Sequence, residues 1–336
     1  MSRSGFLRAV DEKEGSHRAH AQSGRRSIER RRVVKKVAVI GLSLLLIFAA
    51  ITFTGCLPAG DKVAVIPLSG TITNEGLPSF LGLTITPDQV KEQLEKAKGD
   101  SAVKAIVLRI ESPGGEVAPC QEILAQIEKV KEKKPVVVSM GTMAASGGYY
   151  ISAKADRIVA LPGTLTGSIG VIAQIPNIEG LYEKLGIKVE VFKGGKYKDM
   201  YSGLRELTPE ERDIMQRMTD EYYEQFVEVV AEGRGLSKEQ VRTLATGQLY
   251  TGLEAKNLGL VDELGGLDTA IDVAAELAGI ETPKVEYYQP PRLTLRSLLG
   301  FADEIMFRAQ RLNTEDMILL QTLNHMYPQP RFLYLS

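Results

Sequence analysis

The sequence predicts an α/β fold with a largely parallel sheet, and three observations lead to this class. Short runs rich in Val and Ile alternate along the chain with longer segments that have helical apolar spacing. Turns rich in Gly, Pro and Ser separate these segments. The composition, 44% hydrophobic and 25% charged, is that of an ordinary folded protein. Strands that alternate with helices are typical of parallel sheets whose faces the helices cover.

Local signals place the individual elements. Short β-rich runs predict strands at 62–68, 105–110, 135–140, 157–160, 170–173 and 189–192. Apolar side chains at helical spacing predict helices at 87–97, 116–133, 178–185 and 209–232. Thr86 is the expected N-cap of the first helix, and Thr208 opens the last, with Glu210 and Glu211 in its first turn where the dipole favours them. The small, glycine-rich residues 141–150 indicate a turn after the third strand.

The N-terminal part of the chain has the charge pattern of a membrane anchor. Residues 1–36 hold eleven basic and four acidic side chains, a net +7, so the remainder sums to −8 within a total of −1. Residues 37–55 are nineteen uncharged residues, which span ~28 Å as a helix. The positive-inside rule then predicts a single-pass protein of the cell membrane with a cytoplasmic N-terminus and an extracytoplasmic body. Lipidation of Cys56 is a minor alternative.

The charge and histidine patterns exclude several functions. An acidic body argues against nucleic acid as a partner, because phosphate binding needs a basic face. The three histidines are His17, His20 and His325, so a Ser-His-Asp triad, a Cys-His pair or a histidine zinc site in the body is excluded unless His325 serves. The two cysteines form no CxxC motif. Acid–base chemistry near neutral pH must therefore use a lysine, a carboxylate or a tyrosine.

Ser146 is the leading nucleophile candidate. It follows the third predicted strand, and small neighbours permit a tight strand-to-helix turn that presents the hydroxyl. The N–H of Gly147 at the helix start could donate to a developing oxyanion. The simpler alternative is a serine that caps a helix. The hydrolase pattern G-x-S-x-G is not met, because Ala144 stands in place of the first glycine.

A second donor is expected from the turn Ser112-Pro-Gly-Gly115. This turn follows the strand at 105–110, and ligands bind at the carboxyl ends of parallel strands. The N–H of Gly114 or of Gly115 would supply the donor. The turn by itself is weak evidence, and it gains weight because the next strand along the chain leads to Ser146.

A base is expected just after the predicted strand at 189–192. Lys193, Lys196 and Lys198 follow it, and a lysine held neutral by desolvation can activate a serine. Spacing does not choose among the three, and a solvated basic loop is the alternative interpretation. Ser168, beside the start of another short strand, could orient a neutral amine or be only a turn serine.

The ordered set of these motifs resembles a known family, the bacterial signal peptide peptidase A (SppA) proteases. The matching segments are Ser-Pro-Gly-Gly at 112–115, Ala-Ala-Ser-Gly-Gly-Tyr-Tyr at 144–150, Thr-Gly-Ser-Ile-Gly at 166–170, Lys-Tyr-Lys-Asp at 196–199, and Gly247-Gln-Leu-Tyr-Thr-Gly252 running on to Asp262. The resemblance covers roughly residues 60–280. It implies a crotonase/Clp protease-like ββα superhelix and a serine protease whose general base is lysine, without a cofactor or a metal.

The resemblance also implies roles for individual residues and partners. Ser146 would be the nucleophile, Lys198 the base, Ser168 the partner of the lysine amine, and Gly147 with Gly114 or Gly115 the oxyanion hole. A single Ser/Lys set matches the family's short form, which assembles into a homo-oligomeric ring or dome where parts of one active site can come from adjacent subunits. The implied substrates are remnant signal peptides in the membrane.

Two other functions and one role for the tail remain open at this point. A crotonase-like acyl-CoA enzyme would share the sheet and the oxyanion hole, and a membrane-anchored scaffold could keep a degenerate protease fold. The predicted organisation is a Ser-Lys peptidase domain at 60–284 and a loosely attached extension at 285–336. The apolar end, residues 332–336, could occupy a substrate groove as an inhibitor or product, or simply be a disordered terminus or a subunit contact.

Overall fold

A computed structural model describes residues 60–74, 84–288 and the backbone of 332–335. The predicted basic tail at 1–36 and the predicted anchor at 37–55 lie outside these residues. Within the described ranges, no helix is both long enough and apolar enough to cross a bilayer.

Strands and helices alternate through the described part of the chain. The strands are β1 (Lys62–Ser69), β2 (Thr71–Ile72), β3 (Thr84–Ile85), β4 (Val103–Ser112), β5 (Gly114–Glu116), β6 (Val136–Ala145), β7 (Arg157–Ala160), β8 (Leu165–Gly167), β9 (Ile172–Ala173), β10 (Leu249–Thr251), β11 (Glu263–Leu264), β12 (Lys284–Tyr287) and β13 (Phe332–Leu335). The helices are α1 (Pro87–Gly99), α2 (Val117–Lys131), α3 (Gly147–Ser152), α4 (Glu179–Lys184), α5 (Pro209–Arg234), α6 (Lys238–Leu244), α7 (Gly252–Asn257) and α8 (Leu267–Ala278).

A parallel sheet forms the centre of the fold. Its strand order is β10-β8-β6-β4-β1-β12, in which only the β10–β8 pair is antiparallel, and β7 joins β6 to β11. The central strands are buried on both faces, because β1 points Ala64 and Ile66 to one side and Val63 and Val65 to the other. Helix α8 covers the second face. The predicted α/β class is confirmed.

A smaller sheet lies at the carboxyl ends of these strands and positions the site. Its order is β3-β2-β5-β13-β9. Strand β5 begins two residues after β4 ends, so the chain passes directly from the main sheet into the smaller one. The end of β4 and the end of β6 are neighbours, since Ser112 pairs with Ala144. The predicted motifs at 112–115 and 144–150 therefore meet at one edge.

The helix starts follow the predicted capping signals. The Thr86 hydroxyl accepts a hydrogen bond from the Gln89 N–H at the start of α1. At the start of α5, Thr208 and Glu211 form a reciprocal capping box. Helix α5 then runs to Arg234 and ends at Gly235, whose φ of 66° is left-handed.

Two of the predicted strands differ clearly from the structure. The strand predicted at 189–192 is wrong, because this segment is exposed, with Phe192 91% accessible, and it pairs with no neighbouring strand among the described residues. The strand predicted at 135–140 is β6, which continues five residues beyond the predicted end, to Ala145. The turn predicted within 141–150 is therefore confined to Ser146, the single residue between β6 and α3. Strand β12 pairs with β1 at the edge of the main sheet.

Candidate active site

Ser146 occupies a strained turn between strand β6 and helix α3. Its backbone has φ 52° and ψ −116°, a region that residues with a Cβ rarely adopt. The N–H of Ser146 donates to the Gly167 carbonyl at 2.8 Å, and its own carbonyl accepts from the Tyr150 N–H at 2.8 Å. Such a conformation costs about 1–3 kcal/mol and persists only where the surroundings hold it in place.

The Ser146 hydroxyl is buried and lacks a hydrogen-bond partner within the described part of the chain. It makes no cap bond to the helix that follows, so the alternative of a simple helix-capping serine is wrong. A buried hydroxyl left without a partner costs about 1–3 kcal/mol. Backbone strain and an unpaired hydroxyl at one residue both oppose stability, which is typical of a functional position.

Two glycine segments touch beside this serine. A Cβ on Gly147 would lie 2.7 Å from Cys120 Sγ, 2.9 Å from the Gly115 nitrogen and 3.2 Å from Gly114 Cα. Only glycine fits here, so the backbone of α3 can approach β5 this closely. The Gly114 N–H donates to the Ser112 Oγ at 3.1 Å, and this intraturn bond occupies that donor.

Ser168 lies next to the same turn because strand β8 pairs with β6. Ala145 is opposite Gly167, so the residue after each of them reaches the same edge of the sheet. Ser168 is buried, has φ 49°, and donates its N–H to the Gln248 carbonyl at 2.8 Å. A cavity of about 340 Å³ opens beside Ser168, lined by Ser168, Gly170, Val171, Ile172, Tyr223, Ala245, Thr246 and Gly247.

Lys198 lies in a largely exposed segment that runs from residue 174 to residue 198. Its N–H donates to the Gly195 carbonyl at 3.3 Å, and no hydrogen bond or ion pair joins its side chain to Ser146 among the described residues. The two neighbouring lysines are engaged. Lys193 pairs with Asp199 at 2.6 Å, and Lys196 pairs with Glu210, which raises the pKa of Lys196.

A charge cluster that was not predicted from the sequence fixes the end of this segment. Arg205 donates to Asp199 through Nε and Nη2 (3.1 and 2.8 Å) and to Glu211 through Nη1 and Nη2 (2.8 and 2.7 Å). Arg205 is the main cause of the lowered pKa of both carboxyl groups. The pKa of Glu211 falls to about 2. Asp199 directly follows Lys198, so the cluster ties this lysine's backbone to the start of α5. The sequence signal was an Asp, an Arg and a Glu spaced six residues apart.

The motif at 247–262 begins beside Ser168, at Gly247 and Gln248, and the rest of it packs the fold together. The Tyr149 hydroxyl donates to the Leu260 carbonyl at 2.9 Å, inside the core. Arg234 donates to Asp262 at 2.6 Å, and Asp262 also accepts the Ile158 N–H at 2.7 Å. These bonds join α3, α5 and β7 to the chain after α7.

An α/β fold that presents a buried serine hydroxyl beside glycine N–H groups at a strand-to-helix turn is typical of hydrolytic enzymes. Among the described residues, no group of three or more His, Cys, Asp or Glu side chains is arranged to hold a metal ion. The comparisons with known proteins give the class. A family model described as Peptidase family S49 matches residues 128–281.

Relatives extend the match over most of the chain. The "Putative protease slr0021" of Synechocystis sp. (strain PCC 6803) is 39% identical over 81% of this chain and 96% of its own length. The "Serine protease SPPA, chloroplastic" of Arabidopsis thaliana is 35% identical over 67% of this chain and 33% of its own length. This chain belongs to peptidase family S49 and is a protease, which confirms the resemblance to the SppA proteases. Among solved structures, a mutant ClpP1 from Listeria monocytogenes is similar at 22% identity and a TM-score of 0.40, over 62% of this chain and 94% of that one.

Proposed function

We propose that this protease is a serine endopeptidase with Ser146 as nucleophile and Lys198 as general base. The observation that carries the proposal is the Ser146 hydroxyl, which is buried, unpaired within the described residues and held at a strained turn. A hydroxyl kept without a partner is free to bond to a base and to attack a carbonyl. Membership of a peptidase family gives this chemistry its substrate class, peptide bonds.

The contacts of the three lysines favour Lys198 as the base. Lys193 is paired with Asp199, and Lys196 is paired with Glu210, which raises the pKa of Lys196. Lys198 has no ion pair among the described residues, so its amine is available for another role. A base must be neutral, and burial away from water favours the neutral form of an amine. Ser168 would accept or donate the hydrogen bond that orients this amine.

The mechanism is acyl transfer. The neutral amine of Lys198 removes the proton from Ser146 Oγ as the oxygen bonds to the peptide carbonyl carbon. The N–H groups of Gly147 and Gly115 stabilise the oxyanion, since the Gly114 N–H is engaged by Ser112. The ammonium returns its proton to the leaving amine as the C–N bond breaks. Water, deprotonated by the same lysine, then hydrolyses the ester and restores Ser146.

A neighbouring copy of the chain would complete the site. The segment that carries Lys198 exposes six large apolar side chains, which are Leu181, Leu185, Ile187, Val189, Val191 and Phe192. Exposed large apolar side chains concentrated in one segment are typical of an interaction site. We propose that this surface packs on an adjacent subunit of a homo-oligomer, which would cover Lys198 and bring it to a Ser146 hydroxyl.

We further propose that the protease is anchored in the cell membrane through residues 37–55, with the catalytic domain outside the cytoplasm. Nineteen uncharged residues after a basic segment support this topology. An enzyme that shares the bilayer with remnant signal peptides would meet these apolar substrates by lateral diffusion. No nucleic acid, metal or cofactor takes part in this proposal.

Hydrolysis of an apolar fluorogenic peptide by the detergent-purified full-length chain tests the dyad. Ser146→Ala and Lys198→Ala are each expected to lower kcat at least ~1,000-fold, the scale of a lost nucleophile or base. Lys188→Ala, an exposed lysine in the same segment, is the matched control and is expected to keep full activity. Because the base must be neutral, the wild-type rate is expected to rise from about pH 6 toward about pH 10.

Each part of the proposal has its own contrary result. Activity that survives Ser146→Ala contradicts the nucleophile. Loss with Ser146→Ala but not with Lys198→Ala moves the base to Lys193 or Lys196. Activity of a dilute monomer, isolated by size-exclusion chromatography, contradicts completion of the site by a neighbour.

A further inference from the structure

Strand β6 bulges beside strand β4, shortly before the turn that carries the proposed nucleophile. The regular pairing of the two strands stops where Ile110 is opposite Met140. It resumes where Ser112 is opposite Ala144. Between these pairs a single residue of β4 faces residues 141–143, two more than a regular ladder allows, and these three residues form the β6 bulge. Bulges are typical of strands next to active sites, where they change the direction or register of the chain.

The side chain of Glu111, the β4 residue at this point, takes the place of a backbone partner for the β6 bulge. Its Oε2 accepts the Thr142 N–H at 2.7 Å, and its Oε1 accepts the Met143 N–H at 3.0 Å. From the other side, the Thr164 hydroxyl donates to the Gly141 carbonyl at 2.7 Å. Side chains on both sides of β6 therefore hold the bulge through its backbone groups.

The absence of a side chain at Gly141 makes room for this carboxylate. A Cβ on Gly141 would lie 1.9 Å from Glu111 Oε2 and 3.2 Å from the Ile110 carbonyl oxygen. Non-bonded carbon atoms lie about 3.5–4.0 Å apart, so any side chain at residue 141 would displace the Glu111 carboxylate from the bulge. The glycine and the glutamate therefore act as one unit.

The β6 bulge decides which residues of the two strand ends are neighbours. A strand rises about 3.3 Å per residue, so without the two extra residues the Ser146 turn would lie about 6.6 Å farther along β6. Two donors that each lie about 2.7–3.1 Å from one oxyanion are at most about 6.2 Å apart. A shift of this size would separate the Gly147 N–H from the Gly115 N–H. With the bulge, a Cβ on Gly147 would lie 2.9 Å from the Gly115 nitrogen, so the two backbones are in contact.

We infer that Glu111 is a positioning residue for acyl transfer. Its carboxylate holds the β6 bulge and thereby keeps the Ser146 turn in register with the oxyanion donors. The inference rests on the proposed function for the role of Ser146. Contacts to an oxyanion strengthen in the transition state, so loss of the Glu111 carboxylate is expected to lower kcat and to leave KM nearly unchanged.

Hydrolysis of an apolar fluorogenic peptide by the detergent-purified full-length chain tests the inference. Circular dichroism and size-exclusion chromatography measure the folding and assembly of each variant. Glu111→Ala is expected to lower kcat about 100-fold, the scale of one misplaced oxyanion donor, and to change KM less than about threefold. Glu111→Gln keeps one acceptor oxygen and is expected to recover part of this loss.

Asp156→Ala is the matched control, because it removes a carboxylate from the other end of the same strand. Asp156 accepts the Val136 N–H at 2.8 Å, and Val136 begins β6, about 30 Å from the Ser146 turn. This variant is expected to lower the urea midpoint of unfolding and to keep the wild-type kcat. The comparison separates the position of the Ser146 turn from the general stability of β6.

A double-mutant cycle tests whether the glycine and the glutamate act as one unit. Gly141→Ala is expected to lower kcat about as much as Glu111→Ala, because its Cβ displaces the carboxylate. In the Glu111→Ala background the same substitution meets no carboxylate, so it is expected to change kcat less than about threefold. Additive effects of the two substitutions on kcat would overturn the inference.

The outcomes separate this inference from the proposed function. A folded and assembled Glu111→Ala chain with wild-type kcat overturns the inference, as does an Asp156→Ala chain that loses as much kcat. If Ser146→Ala is inactive in either case, the proposed nucleophile stands. If Ser146→Ala keeps full activity while Glu111→Ala and Gly141→Ala lose it non-additively, the nucleophile fails and the alignment by Glu111 stands. Where Glu111→Ala does not fold, Glu111→Gln and Gly141→Ala decide by the same criterion.

Discussion

Replacement of Arg205 by Met is expected to destabilise the protein and to lower turnover. Met keeps much of the apolar stem of the side chain but removes the guanidinium that joins Asp199 to Glu211. Glu211 is 2% exposed, so the substitution leaves a buried carboxylate whose remaining hydrogen bonds come from Thr208 and its own helix start. Removing one partner of a buried ion pair typically costs about 3–5 kcal/mol.

The pKa of Glu211 gives a second measure of the same interaction. Its fall from 4.5 to about 2, caused first by Arg205, corresponds to about 3 kcal/mol at neutral pH, because one pKa unit is about 1.4 kcal/mol. Arg205 is itself 30% exposed, so water screens part of this energy. We expect the free energy of unfolding to fall by about 2–3 kcal/mol.

The pH dependence of this stabilisation follows from the direction of the shift. A carboxyl group with a lowered pKa in the folded state stabilises the protein above its unfolded pKa, here 4.5. The contribution is lost as the pH falls from 4.5 toward about 2. The difference in stability between wild type and Arg205→Met is therefore expected to be full at neutral pH and to shrink in acid.

Urea unfolding of the full-length chain, followed by circular dichroism, measures the effect. The matched set is Arg205→Met, Glu211→Gln and the double variant, with Arg217→Met, on the same helix as Glu211, as the control arginine. A coupling energy of about 2 kcal/mol between the two sites is expected from the double-mutant cycle. A loss below about 0.5 kcal/mol for Arg205→Met, or additive single effects, would refute the reasoning. In the proposed mechanism kcat falls more than KM changes, because the cluster fixes the backbone next to Lys198.

Three further predictions concern the frame around the site. Gly115→Ala is expected to lower the free energy of unfolding by about 3 kcal/mol or more, because its Cβ would lie 1.9 Å from the Ile72 carbonyl oxygen. Gly180→Ala, with open space around it, should leave the free energy of unfolding unchanged or raise it slightly. Similar unfolding curves for the two variants would contradict this. Thr208→Ala is expected to lower stability by about 1 kcal/mol through loss of the α5 capping box, and an unchanged urea midpoint would exclude that contribution. Burial raises the pKa of the Cys120 thiol, so this thiol is expected to resist iodoacetamide until the protein unfolds. Mass spectrometry of a chain in which the other cysteine is changed to serine measures the alkylation. Alkylation of the native protein at the rate of a free thiol would contradict the burial of Cys120.

Much of the site could be predicted because it is built from the ends of neighbouring parallel strands. Strand β4 leads to Ser112 and the two glycines, and β6 leads to Ser146, so their adjacency follows from strand order and from the meeting of carboxyl ends at one edge. The sequence has no histidine between residues 21 and 324, so composition alone indicated that a base in this region would be a lysine, a carboxylate or a tyrosine. Capping signals at Thr86 and Thr208 were readable because a cap involves residues only three apart.

The remaining features depend on contacts that local patterns do not encode. The β-rich run at 189–192 has strand propensity, but a strand forms only where a neighbouring edge accepts its hydrogen bonds, and no described strand does so there. The Arg205 cluster joins side chains of a turn segment to the first turn of α5, and such a contact between different elements follows from no single periodicity.

The sequence by itself determined the α/β class and the helix starts, and it named candidates for the nucleophile and the glycine donors, because these depend on periodicity and on residues close along the chain. Only the tertiary structure decided that the Ser146 hydroxyl lacks a partner among the described residues, that the Lys198 side chain is exposed, and that β13 pairs with β5. Residues 114–116 and 332–335 are far apart along the chain, and their pairing is a property of the folded edge between β5 and β9. The physical reason is that burial, backbone strain and strand pairing arise from packing between distant segments, which a one-dimensional pattern does not contain.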